Sequence, residues 1–111
     1  MALITEEQLK KMTEIVAREV DPEAIVLFGS HAVGKAHEDS DVDLLIIESA
    51  SFSPGRGRRK EMARLWQALM GFPVAKDILV YSREEVERWR HSRNHIIARA
   101  LREGRVLYER P

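Results

Sequence analysis

Gly29-Ser30-His31-Ala32-Val33-Gly34-Lys35-Ala36-His37-Glu38-Asp39-Ser40-Asp41-Val42-Asp43 is the stretch on which the fold of this chain turns. An apolar run, Ala24-Ile25-Val26-Leu27-Phe28, leads into the Gly-Ser pair, and another, Leu44-Leu45-Ile46-Ile47, follows the two aspartates. Each run has the length of a buried strand. Unbroken apolar positions in the second predict cover on both faces. Side chains alternate along a strand, so Asp41 and Asp43 share a face. Two carboxylates on one face repel unless a cation or proton intervenes. A Gly-Ser turn offers unhindered backbone N–H groups, which suit phosphate oxygens. Together they point to a divalent metal holding a nucleoside triphosphate.

Working outward, Thr5 and Gln8 have the spacing of a capping box. Leu9, Met12, Ile15, Val16 and Val20 follow at helical spacing, predicting an amphipathic helix over 5–20 that Asp21-Pro22 ends. Residues 30–40 read as a turn, and 51–60, with Arg56, Arg58, Arg59 and Lys60, as a mobile solvated loop. Met62, Leu65, Trp66, Leu69 and Met70 mark a second helix, stopped by Gly71 and Pro73. Residues 74–81 read as a third strand. Ser82 and Glu85 open one long helix through Val86, Trp89, Ile96, Ile97 and Leu101 to Gly104. Val106-Leu107-Tyr108 is a candidate last strand. The expected fold is α/β (α+β): a small mixed sheet of three to four strands flanked by helices. Pattern alone leaves the strand order open.

A length of 111 residues fits a single domain over 1–111. Formal net charge is zero, which argues against a free-standing nucleic-acid binder. With no cysteine, disulfides and thiolate metal sites are excluded. No apolar run is long enough to span a bilayer, and Met1 to Ile4 leads straight into charged residues, so a cytoplasmic location is expected.

Gly29 to Lys35 also matches the first part of a P-loop, but Ala36 stands where a magnesium-binding hydroxyl is required. A strand rather than a helix then follows, which rejects that reading. The carboxylates are stronger evidence. A two-metal site clamps the attacking and leaving oxygens of an in-line displacement, and magnesium prefers carboxylates, water and phosphates. Asp77, placed before Ile78-Leu79-Val80 in a buried-looking strand, is the candidate third acid. The bland readings are strand-edge acids that discourage aggregation for Asp41 and Asp43, and a pairing with Lys76 or an arginine for Asp77.

Gly-Ser, ten residues, Asp-x-Asp and Leu-Leu-Ile-Ile resemble the nucleotidyltransferase signature of the DNA polymerase beta superfamily. Size and element order resemble its minimal nucleotidyltransferases, antitoxin-type partners of HEPN-domain toxins. The resemblance implies a nucleotidyltransferase fold, with Gly29 and Ser30 holding the terminal phosphates of ATP. It implies that Asp41 and Asp43 bind two Mg2+ ions, and that Asp77 binds the catalytic ion and helps activate the acceptor hydroxyl. The implied reaction transfers AMP to a hydroxyl of a HEPN toxin and silences it. A non-catalytic antitoxin acting by occlusion and a small-molecule nucleotidyltransferase are the alternatives, and association with a second copy is left open. Relatives often carry arginine where this chain has Val33. Lys35 could compensate or be solvated. His91 and His95 stand four apart, a spacing that fits a metal pair but lacks a third ligand. Trp66 and Trp89 are expected to pack in the core, or to mark an interface if exposed.

Overall fold

The computed structural model describes residues 4–37 and 40–111. The leader reading at Met1–Leu3, and Glu38 and Asp39 of the opening stretch, lie outside the described residues.

The first helix, α1 (Glu6–Val20), starts as its sequence dictates. Thr5 Oγ1 accepts from the amide of Gln8 at 3.0 Å, and Gln8 Oε1 accepts from the amide of Thr5 at 2.9 Å. The helix ends at Asp21, whose backbone is left-handed with φ 43°. Strand β1 (Ala24–Phe28) runs into a 3₁₀ turn at Gly29–His31, and β2 (Val42–Glu48) returns antiparallel to it. Helix α2 (Arg58–Ala68) then crosses over to β3 (Lys76–Ser82), which lies parallel to β2. Helices α3 (Arg83–Trp89) and α4 (Ile96–Glu103) lead to β4 (Arg105–Glu109), antiparallel to β1. The sheet order is β3-β2-β1-β4, four strands of mixed sense.

The apolar runs of β1 and β2 feed a core on each face of the sheet. Ile25, Leu27, Val42, Leu44 and Ile46 pack with Met12 and Val16 of α1 and Leu65 of α2. Val26, Phe28, Leu45 and Ile47 pack on the other face with Val86 of α3 and Ile97 and Ala100 of α4. Cover on both faces explains why β2 carries no polar alternation between Leu44 and Ile47. Each large side chain so buried stabilises the fold by about 1.5–3 kcal/mol before entropy is charged against it. Among the described residues, no helix is long and apolar enough to cross a membrane.

The helix expected from Ser82 to Gly104 is broken. Arg90 caps α3, and α4 begins only after His95, whose Nδ1 accepts from the amide of Ile97 at 3.1 Å. The apolar residues on either side fit one period, so spacing could not reveal the gap. The loop before α2 is pinned rather than free. Arg56 donates to Glu48 at 2.9 Å, to Glu61 at 3.2 Å and to the Ala50 carbonyl at 3.1 Å, and lies over the Phe52 ring. Arg58 pairs with Glu85 and faces both Phe52 and Tyr81. Those anchors come from distant positions, which is why an arginine-rich stretch read as solvated.

Candidate active site

Strand register does most of the work. Asp43 stands directly across from Phe28 on the antiparallel side and from Asp77 on the parallel side. Directly opposed Cβ atoms on neighbouring strands are about 4.5–5.5 Å apart. By alternation both aspartates project to the face covered by α3 and α4, the side of Leu45, Ile47, Leu79 and Tyr81. Asp41 falls one residue before β2 and is exposed.

Gly29 completes this corner. Its φ is 74°, in the region that favours glycine, and a Cβ built there would lie 2.1 Å from Asp43 Oδ2. Strand β1 therefore ends in a residue whose missing side chain makes room for the carboxylate. Beyond it the turn closes by two bonds, from the Ala32 amide to the Gly29 carbonyl and from the Lys35 amide to the Ser30 carbonyl, both 3.0 Å. Ser30 is half-buried beside Gly29, whereas Val33 and Lys35 are exposed. His31 Nε2 lies 3.3 Å from the Ser40 carbonyl, tying the turn to the entry of β2.

The electrostatics match the register. Burial raises the pKa of Asp43, and the charges of Asp77 and Asp41 raise it further, while His31 opposes them. A carboxyl so placed favours a proton or a cation. A cavity of about 240 Å³ is lined by Phe28, Gly29, Asp43, Ile96, Arg99 and Glu103. It does not extend to Ser30, Asp41 or Asp77. Three of its lining residues, Ile96, Arg99 and Glu103, come from α4. Arg99 and Glu103 stand one helical turn apart, with Nε to Oε1 at 3.5 Å.

Among the described residues, no group of three His, Cys, Asp or Glu side chains is gathered closely enough to hold an ion. The donor chemistry nonetheless suits magnesium, which is usually bound by one or two carboxylates together with water and substrate phosphates. Asp43, whose pKa is raised, and Asp77 directly across the parallel strands from it offer carboxylates of that kind.

The weaker candidates resolve differently. His95 is a helix cap stacked on Trp89, with ring centroids 4.7 Å apart, and His91 is exposed, so they do not form a metal pair. Trp66 and Trp89 are 44% and 39% exposed rather than core residues. Periodicity put them on helical faces, but Trp66 meets Lys76 and Trp89 meets His95 at the surface rather than the core. Lys76 does not pair with Asp77. It alternates to the other face and donates to the carbonyls of Phe72 and Val74, each at 3.0 Å, with its Nζ over the Trp66 ring.

Comparison with known proteins bears on the family and the fold. The family described as Polymerase beta, Nucleotidyltransferase matches residues 10–111. The fold is similar to that of a candidate nucleotidyltransferase from Sulfolobus solfataricus, with TM-score 0.62 and 19% identity over 92% of this chain and 78% of that one. It is also similar to a toxin–antitoxin crystallised with AMP-PNP, with TM-score 0.57 and 19% identity over 91% and 73% of the two chains. A mutant of the toxin–antitoxin MntA-HpeT, with two Asp-to-Glu exchanges two positions apart, gives TM-score 0.56 and 17% identity over 91% and 73%. No curated protein matches the chain.

Proposed function

Because the chain belongs to the Polymerase beta nucleotidyltransferase family, we propose that it transfers AMP from ATP to a hydroxyl of a protein acceptor, a HEPN-domain toxin that the modification silences in the cytoplasm. The observation that carries this reading is the register that faces Asp43 with Asp77, together with the Cβ-free Gly29 that makes room for the Asp43 carboxylate. Residues 1–111 are read as one nucleotidyltransferase domain.

In this reading Gly29 and Ser30 hold the terminal phosphates through the turn that leaves β1. Asp41 and Asp43 would hold two Mg2+ ions, with Asp77 helping to hold the catalytic one. When bound, these ions neutralise the charge that grows on the attacking and leaving oxygens. Asp77 receives the proton of the acceptor hydroxyl as its oxygen bonds to the α-phosphorus. The bond from the α-phosphorus to the bridging oxygen breaks, and pyrophosphate leaves with that electron pair. The protein's own contribution is positioning, which is where most of the acceleration of such a reaction comes from.

Incubation with ATP labelled at the α-phosphate, magnesium and the product of the neighbouring gene is the test. Label on the acceptor that disappears in Asp41→Asn and Asp43→Asn supports the reading. Exposed Val33, where the family resemblance leads one to expect arginine, favours a second one, a non-catalytic antitoxin that works by occlusion. Inhibition of the toxin that survives both substitutions would favour it instead.

A further inference from the structure

We propose that a basic groove between the α3–α4 connection and α4 docks an acidic surface of the acceptor protein, an inference that rests on the function proposed above. The groove is a cavity of about 370 Å³ lined by Arg90, His91, Arg93, Ala98, Leu101 and Arg102, with no carboxylate on its wall. Arg90 is held by Glu87 at 3.0 Å. The side chains of Arg93, Arg102 and His91 have no hydrogen bond or ion pair among the described residues. In a chain of zero net charge, positions 88–105 carry six arginines against one glutamate, Glu103. Of these, Arg90, Arg93 and Arg102 line the groove, and the side chains of Arg93 and Arg102 are unpaired among the described residues. Such a patch steers and orients a partner of opposite charge.

Helix α4 joins this groove to the reaction cleft. Ile96, Arg99 and Glu103 line the cleft. Ala98, Leu101 and Arg102 line the groove. At 3.6 residues per turn these sets fall on opposite flanks of one helix, and a helix is about 10 Å across. A protein seated in the groove reaches over α4 to the carboxylates. A buried Ala98 and a half-buried Leu101 give the groove an apolar floor, so a carboxylate-rich surface around a small apolar side chain is its complement. Nucleic acid fits less well. The neighbouring aromatic, Trp89, already has one ring face stacked on His95, which leaves less of it as a platform for bases.

The test is the affinity of the full chain for the HEPN-domain protein without nucleotide, compared with that of the double variant Arg93→Glu with Arg102→Glu. The expected result is a Kd raised about tenfold or more, since reversing two charges opposes the contact instead of only removing it. Affinity for Mg-ATP should stay within about twofold, and the acceptor Kd of the parent should weaken with salt. If charge reversal impairs folding, Arg93→Gln with Arg102→Gln gives the same reading, with a smaller loss. An unchanged acceptor Kd in the folded variant overturns the proposal. So does a short single-stranded RNA that binds the parent as tightly as the acceptor does and loses that binding in the variant. A parent chain that binds the acceptor but neither binds Mg-ATP nor transfers label overturns the proposed catalysis and leaves the docking intact.

Discussion

Gly29→Ala separates backbone strain from carboxylate crowding at the heart of the site. At φ 74°, alanine costs about 1–2 kcal/mol in the left-handed region. The new Cβ would also lie 2.1 Å from Asp43 Oδ2, so the carboxylate must swing away from its present position. Overpacking of that kind costs about 1–3 kcal/mol. The sum, about 2–5 kcal/mol, lowers Tm by roughly 10–20 °C in a chain of this size. In an Asp43→Ala background only the strain remains, so Gly29→Ala should cost about 1–2 kcal/mol there. The coupling energy of the cycle is then about 1–3 kcal/mol. Asp43→Ala by itself should be neutral or stabilising in metal-free buffer, because burial and the charges of Asp77 and Asp41 already disfavour its ionised form. Denaturant melts of the four proteins without divalent metal provide the data. Additive costs would refute the contact between the Gly29 position and Asp43.

Other expectations lie away from the cleft. Glu48 is buried at the far end of β2, and its pKa is pushed up to about 7 by burial and then by Glu61, while Arg56 pulls it down. Burial also acts on Glu61, but hydrogen bonds with Glu48 and Arg56 outweigh it and hold that carboxyl below its usual range. For Glu48 the folded value lies above the ordinary 4.5, so its stabilisation is complete below 4.5 and is lost as pH rises through about 7. At about 1.4 kcal/mol per pH unit the ceiling is about 3 kcal/mol. Glu48→Gln should flatten this pH dependence of Tm and melt above the parent on the alkaline side; parallel profiles would contradict it. Gly104→Ala would put a Cβ 2.2 Å from the Ala100 carbonyl oxygen and 2.9 Å from that of Leu27. Backbone atoms cannot yield as a side chain can, so a loss of about 3 kcal/mol is expected, and a melt within 2 °C of the parent's would count against that packing. His95→Ala should cost about 1–2 kcal/mol through the lost cap of α4 and the lost stack on Trp89, read as faster amide exchange at Ile97.

The sheet was legible because its strands are short apolar runs with sharp ends. Ala24–Phe28 stops at Gly29, and Val42–Ile47 starts between aspartates. Both capping boxes were legible for the same local reason, since Thr5 with Gln8 and Ser82 with Glu85 satisfy bonds three residues apart. The pairing of Asp43 with Asp77 depends on the parallel register of β2 and β3, which no local pattern encodes. The break before α4 was hidden because His95 closes it through a side-chain bond while Trp89, Ile96 and Ile97 keep helical spacing. Arg56 and Arg58 were misread as solvated because their partners, Glu48 and Glu85, come from other elements. The contribution of α4 to the cleft was illegible too, since Arg99 and Glu103 reach it only after the helix packs on β1.

The most direct measurement of the central claim follows two labels through one reaction. With magnesium and the HEPN-domain acceptor, ATP labelled at the α-phosphate should leave its label on the protein. ATP labelled at the γ-phosphate should release all of its label as pyrophosphate, one per transfer, and Asp43→Asn and Asp77→Asn should abolish both signals. Acceptor labelled from the γ-phosphate, or α-label transfer that persists in Asp43→Asn, would contradict the account.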